Sequence, residues 1–192
     1  SPVASGPVSV LDAGFEQTNV AFFTAMPAEL PWDIDTGASG IQNLTNSGFS
    51  SLFNADVRTA QHNVAYANSG TFTQTLAQAA QAGTYTLSVK VGSRADFPWT
   101  TLPADPIVQL LAGATAVTGS LVRPDAVTQF FSTWTLTATL AAGSPLIGQP
   151  LRIRLGTTGT SANQGQPNFD DVSLTFAAAS GGPVAGASWA AE

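Results

Sequence analysis

The sequence contains no cysteine among its 192 residues, so disulfide bonds, cysteine-ligated zinc and a thiol nucleophile are all excluded. It contains one histidine, His62, and no serine motif of the kind that forms a hydrolase triad. A lone histidine is also poor evidence for a zinc site. The protein must therefore be stabilised by its core and, where acidic side chains allow it, by a hard cation such as calcium.

Positive charge is also scarce. Six lysines and arginines stand against twelve aspartates and glutamates, which gives a net charge of −6. Nucleic acid is not expected as a partner, because phosphate binding requires clustered basic residues. The sequence has no apolar run long enough to span a membrane. Its low charge and its many serines and threonines are typical of extracellular β proteins, and we expect a secreted, periplasmic or extracellular protein whose signal peptide has been removed.

Alternation of apolar and polar residues, which predicts β-strands, recurs through the body of the chain. In residues 132–140, for example, Trp134, Leu136, Ala138 and Leu140 alternate with threonines. Strand-like patterns also predict five further segments, which are residues 70–76, 84–92, 106–113, 150–156 and 168–176. The one segment with a helical composition is short, residues 76–83.

Glycine and proline separate these segments at the spacing expected for a β-sandwich. The sequence therefore predicts an all-β fold, a two-sheet antiparallel β-sandwich of the jelly-roll type. An immunoglobulin-like sandwich is the alternative, but its Cys-Trp-Cys signature is missing. We expect a single domain over residues 8–176, preceded by an extended lead-in (1–7) and followed by an Ala/Gly/Ser-rich tail (177–192).

Two adjacent carboxylates stand near the start of the last predicted strand, in the stretch NFDDVSLTF of residues 168–176. Asp170 has the same parity as Val172 and Leu174, so it is expected to point toward the apolar side of the sheet. Asp171 is expected to point the other way. A buried carboxylate is costly unless it is paired, hydrogen-bonded or bound to a metal ion. Asp170 therefore needs a hydrogen-bond donor, a positively charged side chain or a metal ion next to its carboxylate.

Several motifs, in this order and at this spacing, carry a resemblance to known proteins. They are LDAGFE (11–16), Trp32, HNVAYANSGTFTQTL (62–76), GTYTLSVKVGSRADFP (83–98), VQLLAG (108–113), GQPLRIRLG (148–156) and NFDDVSLT (168–175). The arrangement resembles the galactose-binding-like jelly rolls of carbohydrate-binding modules. It resembles more closely the cyanobacterial Stig cyclases of hapalindole-type alkaloid biosynthesis, over about residues 8–176.

The resemblance to these jelly rolls implies a structural calcium ion. In such folds an early glutamate and an aspartate of the last strand help to hold the ion, and the matching residues are Glu16 and Asp170. Calcium takes about six to eight oxygen ligands and would compensate the charge of an inward-pointing Asp170. The alternative is that Asp170 accepts backbone hydrogen bonds in a turn.

The resemblance to Stig cyclases implies a cyclase or isomerase. That family binds an indole isonitrile with a geranyl-derived chain and promotes a Cope rearrangement followed by cation cyclisation. Such a site needs an acid and aromatic faces that shelter a cation. By position, Tyr66 is the candidate tyrosine and Asp170 or Asp171 is the candidate acid. The candidate substrate-binding aromatics are Trp32, Phe97 and Trp99.

Two other functions remain open on the residues alone. A secreted carbohydrate-binding module or lectin-like domain without turnover would stack sugar rings on Trp32, Trp99 or Phe97 in an open groove. A cyclase instead needs an enclosed pocket that excludes water. The third hypothesis is a structural protein, in which these aromatics and Tyr66 only pack. We expect a small hydrophobic molecule or a glycan as the ligand, and the family resemblance suggests a homodimer.

Overall fold

The structure is a computed structural model that describes residues 4–179. It confirms the all-β prediction. The strands are β1 (Gly6–Val8), β2 (Phe23–Ala25), β3 (Asp33–Asn43), β4 (Asn63–Ala79), β5 (Gly83–Ser93), β6 (Pro106–Ala112), β7 (Thr115–Ala116), β8 (Gly119–Val122), β9 (Phe131–Leu140), β10 (Pro150–Thr157) and β11 (Pro167–Ala178). The helical elements are α1 (Ala55–Ala60) and two 3₁₀ turns (Ser47–Phe49 and Ala162–Gln164).

The strands form one antiparallel sheet that curls around a common core, as in a jelly roll. Hydrogen bonds run along the path β7-β6-β10-β4-β11-β5-β9-β8, while β3 pairs with β4 and carries β2 at its edge. The layer containing β10 and β4 is joined to the layer containing β11 and β5 by a short pairing, in which Asn168 faces Tyr66 and Phe169 faces Ala65. The predicted sandwich is therefore confirmed, with its two layers linked through the long strand β4.

The predicted alternation decides which side chains enter the core. On β9, Trp134, Leu136, Ala138 and Leu140 are all buried, as their spacing predicts. All six predicted strand segments lie within or largely within observed strands. Burial of such side chains from both layers supplies the main stabilisation, at about 25 cal/mol per Å² of apolar surface.

The helix predicted for residues 76–83 is wrong. Strand β4 continues to Ala79, which pairs with Pro150 of β10, and Leu76 is buried in the core. Alanine and glutamine favour helices, but that preference is weak and tertiary pairing overrides it. The short helix α1 forms instead at residues 55–60, where Asn54 accepts a hydrogen bond from the backbone nitrogen of Asp56 and caps the first turn.

The predicted domain limits shift slightly. Strand β1 begins at Gly6, inside the predicted lead-in, and Gly6 pairs with Phe176 of β11. Strand β11 extends to Ala178, two residues into the predicted tail. The rest of that tail, residues 180–192, lies outside the described residues. Within residues 4–179, no helix has the length and apolarity needed to cross a membrane.

Candidate functional site

A cavity of about 240 Å³ lies where β3 and β5 end and where β4 and β11 begin. Five of its lining side chains are aromatic, and they are Phe22, Phe23, Phe49, Tyr66 and Phe97. The other lining residues are Gln42, Leu52, Asn68, Arg94, Ala162 and Gln166. We call this space the aromatic cavity. Apolar walls with a few placed polar groups are typical of small-molecule sites.

Tyr66 reaches the aromatic cavity because β4 alternates, which places Tyr66 and Asn68 on the same face. Its register partner on β3 is Gly40, and a Cβ atom there would lie 2.6 Å from the Tyr66 hydroxyl oxygen. The glycine therefore lets the tyrosine ring lie close over β3. The hydroxyl donates to the carbonyl oxygen of Thr24 at 3.1 Å. Burial raises the pKa of Tyr66, although the charge of Arg94 opposes it, so the phenol keeps its proton at neutral pH.

Arg94 connects the polar side chains at the aromatic cavity through hydrogen bonds. Its Nη1 donates to Oε1 of Gln166 at 2.8 Å and to Oε1 of Gln42 at 3.4 Å. Its Nε and Nη2 donate to the two carboxylate oxygens of Asp96, at 2.8 and 2.6 Å. The guanidinium carbon also lies 5.1 Å from the ring centre of Phe97, within cation–π range.

The two predicted tryptophans lie in the core and do not line the aromatic cavity. Trp32 exposes only 1% of its surface, and its ring centre lies 5.3 Å from that of Phe15. Trp99 exposes 6%, donates from Nε1 to the carbonyl oxygen of Gly92 at 2.6 Å, and packs edge-on against Trp134. Burial of such large rings contributes more to the core than exposure would to a ligand platform. Of the predicted binding aromatics, only Phe97 joins Tyr66 in the cavity.

Asp170 is buried, as its parity predicts, and exposes 4% of its surface. Its Oδ1 accepts a hydrogen bond from the backbone nitrogen of Asp171 at 2.8 Å. Burial, together with the nearby charges of Asp171 and Glu16, raises the pKa of Asp170 to about 8, although the hydrogen bond from the Asp171 backbone and the charge of Lys90 lower it. The ionised form of Asp170 is therefore short of compensating positive charge.

Glu16 and Asp170, the two predicted calcium ligands, both lie close to Gly14. A Cβ atom on Gly14 would stand 3.7 Å from Oδ1 of Asp170 and 3.8 Å from Cγ of Glu16. Oε1 of Glu16 also accepts from the backbone nitrogen of Asn63 at 2.8 Å. Within residues 4–179, no three His, Asp or Glu side chains converge, so a cation here would need backbone or amide oxygens as further ligands.

Asp171 is exposed and occupies a bulge in β11. The register with β5 shifts between Asp170 and Ser173, and Asp171 has a φ of 46°. Its carboxylate forms an ion pair with Lys90, with 2.5 Å between Nζ and Oδ2. Neither Asp170 nor Asp171 lines the aromatic cavity, so the structure does not bring either predicted acid together with Tyr66 and Phe97.

Most of the cavity lining was missed in the sequence. Asn68 follows Tyr66 by two residues and would share its face on a strand, but the predicted strand segment in this region begins only at residue 70. Arg94 and Gln166 lie beyond the ends of strands, and no local pattern indicates their direction. Phe22 precedes and Phe23 begins the short strand β2, and the sequence around them shows no periodicity that would indicate their direction.

Two solved cyclase structures support the same jelly roll, and a xylan-binding module matches more weakly. The Stig cyclase Fisc from Fischerella sp. TAU, in complex with (3Z)-3-(1-methyl-2-pyrrolidinylidene)-3H-indole, is 25% identical and matches with a TM-score of 0.71, over 92% of this chain and 100% of that chain. A cyclase from Fischerella sp. TAU in complex with 4-(1H-indol-3-yl)butan-2-one is 26% identical, with a TM-score of 0.69 over 91% and 98%. A xylan-binding module is 16% identical, with a TM-score of 0.48 over 85% and 100%.

Comparison of the sequence with models of protein families supports the same relationship to cyclases. A search of curated protein sequences found no match. The model of the HpiC1-like family, described as HpiC1 cyclase, matches residues 6–175. That range contains every strand from β1 to β10 and most of β11. Because the match spans most of the chain, the protein belongs to the HpiC1-like family of Stig cyclases.

Proposed function

We propose that this protein is a cyclase or isomerase that binds a small hydrophobic aromatic molecule in the aromatic cavity. The observation that carries the proposal is the convergence of five aromatic side chains on one cavity, with a tyrosine hydroxyl among them. Two similar Fischerella structures contain indole compounds, so an indole-based ligand is the first candidate. The family supports a Cope rearrangement followed by cation cyclisation as the reaction.

The aromatic rings would hold the ligand and shelter developing positive charge. Phe22 and Phe23 lie edge to face with 5.0 Å between their ring centres, and Phe97 lines the same cavity. A ring face attracts a cation by about 0.5–2 kcal/mol, more when water is excluded. A bound ligand that covers these rings would keep water away from a cationic intermediate, which water would otherwise trap.

We assign proton donation to Tyr66 rather than to Asp170 or Asp171. Among the described residues, no carboxyl group lines the aromatic cavity, and Tyr66 is the only lining residue that has a hydroxyl group. Because burial raises the pKa of Tyr66, its hydroxyl stays protonated, and when it turns away from the carbonyl oxygen of Thr24 it can donate its one hydrogen to the reacting ligand. Asp171 is held by Lys90 on the surface instead.

We also propose a structural calcium ion near Glu16 and Asp170. The support is the buried carboxylate of Asp170, whose pKa is raised to about 8 by burial and by its acidic neighbours. A divalent cation between the two carboxylates would supply the missing positive charge and would link the segment that contains Glu16 to β11. Its contribution would be to stability, because these residues do not line the aromatic cavity.

The structure favours a cyclase over a glycan-binding module. Trp32, Trp99 and Trp134, the tryptophans in the described part of the chain, are all buried. They therefore present no flat platform on which sugar rings could stack. The exposed rings of Phe22 and Phe23 belong to the wall of the aromatic cavity instead.

Export and dimer formation are separate proposals. The low charge and the many serines and threonines support export, which cell fractionation would test by locating the protein. The family resemblance supports a homodimer, which sedimentation of the purified protein would test by its mass. The assignment of the aromatic cavity depends on neither.

Calorimetric titration with 4-(1H-indol-3-yl)butan-2-one tests the proposed site. We expect the wild-type protein to bind the compound and Phe97→Ala to bind it at least tenfold more weakly, because a ring of the cavity wall is lost. The matched control is Phe130→Ala, which removes a partly exposed ring outside the aromatic cavity and should leave the affinity unchanged. Equal weakening by both variants, or no binding to the wild type, would refute the site.

Turnover is tested with a geranylated indole isonitrile. An isomerisation or cyclisation conserves every atom, so the product has the mass of the substrate but a different retention time. We expect such a product with the wild-type protein and none with buffer. Binding without any product would leave the protein a small-molecule binder and would contradict its assignment as an enzyme.

A further inference from the structure

The polar side of the aromatic cavity is an ordered chain of hydrogen bonds. A guanidinium group only donates, so the two bonds from Nη1 of Arg94 require the amide oxygens of Gln42 and Gln166 to face it. The amide nitrogens of both glutamines must then point away from Arg94. This fixes the orientation of two amide groups that would otherwise be free to turn over.

The chain continues to the cavity wall. Nε2 of Gln166 donates to Oδ1 of Asn68 at 2.6 Å, which commits the oxygen of Asn68. Nε2 of Gln42 donates in the same way to Oδ1 of Asn168. Within residues 4–179, Nδ2 of Asn68 makes no hydrogen bond, and Asn68 is half-buried in the lining of the cavity. Nε2 of Gln42 and Nε2 of Gln166 each use one of their two hydrogens in this network, whereas Nδ2 of Asn68 keeps both.

The charge of Arg94 is already compensated. Both carboxylate oxygens of Asp96 accept from it, and the guanidinium carbon lies 5.7 Å and 5.1 Å from the ring centres of Phe49 and Phe97. A paired guanidinium covered by rings is a poor anchor for an anionic ligand. The other lining groups in the described chain are neutral, which favours a neutral ligand.

We propose that the aromatic cavity selects a neutral, planar aromatic molecule that carries a hydrogen-bond acceptor, such as a ketone oxygen, and that this acceptor receives the free N–H of Asn68. Arg94 is a positioning residue, since it acts on the ligand through Gln166 and Asn68. The inference rests on the proposed function, because it names the ligand class of the same cavity. Tight binding would then require a hydrogen-bond acceptor on the ligand in addition to contacts with the aromatic rings. We call this requirement the selection rule.

Three matched probes test the rule in calorimetric titrations of the wild-type protein. They are 4-(1H-indol-3-yl)butan-2-one, 3-butylindole, which lacks the ketone, and 4-(1H-indol-3-yl)butanoate, which is anionic. We expect the ketone to bind about three- to tenfold more tightly than 3-butylindole, as one added hydrogen bond allows. The butanoate should bind more weakly than the ketone.

Two variants test whether Asn68 and Arg94 cause the preference for the ketone over 3-butylindole. Asn68→Asp keeps the oxygen that accepts from Gln166 but replaces the free donor, so the ketone should lose its advantage over 3-butylindole. Arg94→Lys should reduce that advantage, because a lysine cannot hold Gln166, Gln42 and Asp96 together. Asn19→Asp makes the same charge change at an exposed site outside the cavity and should alter nothing.

The possible failures are distinguishable. If the ketone and 3-butylindole bind the wild-type protein equally, the selection rule is wrong while the proposed site stands. If the butanoate binds most tightly, the cavity prefers an anion and the rule is likewise wrong. If none of the three probes binds, the proposed function fails and the rule fails with it. The wild-type comparison decides even if a variant does not fold.

Discussion

At the scale of single residues, Tyr66 connects the fold to the proposed chemistry. The residue is fixed by strand alternation, by the absence of a side chain at Gly40 and by the bond to Thr24. Its hydroxyl is the only one on the wall of the aromatic cavity in the described chain. The family motif identified Tyr66 as a candidate, but its strand was predicted only from residue 70 onward, and the convergence of Arg94 on it depends on distant segments.

Replacing Tyr66 with phenylalanine should therefore separate turnover from folding. We expect product formation to fall by roughly a hundredfold to ten-thousandfold, as for loss of a group that transfers a proton. The lost hydrogen bond to Thr24 should lower the free energy of unfolding by about 1 kcal/mol. Product assays and urea denaturation measure the two effects.

Tyr85→Phe is the matched control for this variant. It removes a buried hydroxyl that is hydrogen-bonded to the backbone of Gln81, away from the aromatic cavity. It should lower stability by a similar amount and leave turnover unchanged. If Tyr66→Phe and Tyr85→Phe turn over equally well, Tyr66 has no role in the reaction.

Asp170 is the second residue whose role can be isolated. Calcium at a hundredfold excess over its dissociation constant should stabilise the wild-type protein by about 2.7 kcal/mol. Asp170→Asn should abolish that gain, whereas Asp171→Asn, next to it but exposed, should keep it. Thermal melts with calcium and with a chelator measure the difference, and a wild-type melt that is insensitive to chelation would exclude the ion.

At the scale of elements, local periodicity predicted the strands well. Residues 84–92 and 132–140 alternate cleanly because one face of each strand meets the core, and both are strands in the structure. Residues 76–83 show where local reasoning fails, since pairing with β10 outweighs the helical preference of alanine and glutamine. The strand pairings themselves join distant residues and leave no periodic signal.

Asp35 links three of these strands. On β3, it accepts from Thr71 of β4 at 3.1 Å and from Thr73, and both Arg152 and Arg154 of β10 lie 3.3 Å from its oxygens. Burial acts to raise the pKa of Asp35, but the threonine hydrogen bonds and the two guanidinium charges outweigh it, so the pKa is lowered below its usual 3.8. The carboxylate therefore stabilises the folded state in its ionised form.

Asp35→Asn should destabilise the protein by about 1–3 kcal/mol at pH 7, because two guanidiniums lose their partner. The pKa of Asp35 is lower in the folded state than its ordinary value of 3.8. Its contribution to the free energy of unfolding is therefore complete above pH 3.8 and is lost as the pH falls through the pKa of the folded state. The variant and the wild type should therefore converge in strongly acidic solution. Urea denaturation at pH 7 and at pH 3 measures this.

The exposed pair of Asp105 and Arg123 provides the comparison for Asp35. Its two side chains are 61% and 40% exposed, so Asp105→Asn should change stability by less than about 1 kcal/mol. An equally small effect of Asp35→Asn would show that the network across β3, β4 and β10 does not hold these strands together.

At the scale of the whole molecule, the aromatic cavity is assembled from segments that are far apart in the sequence. Phe22, Tyr66, Arg94 and Gln166 come from four such segments. Composition and motif order were sufficient to predict the jelly roll and its family. They did not predict the cavity wall, because residues beyond the strand ends are placed by the fold as a whole.

The calcium-free molecule should lose stability as the pH rises. The pKa of Asp170 is raised from 3.8 to about 8, so its contribution is complete below 3.8 and is lost as the pH rises through about 8. With a chelator present, we therefore compare the free energy of unfolding of the wild type with that of Asp170→Asn. The value for the wild type minus the value for the variant should decrease from pH 5 to pH 8. A difference that stays constant over this range would show that Asp170 is not held in a raised-pKa environment.

The most direct test of the central claim is a crystal structure of the protein with 4-(1H-indol-3-yl)butan-2-one. We predict that the indole ring lies in the aromatic cavity against Phe97 and Tyr66, with the ketone oxygen within hydrogen-bond distance of Nδ2 of Asn68. A ligand bound at saturating concentration only outside this cavity would contradict the account. An aromatic cavity that stays empty under those conditions would contradict it equally.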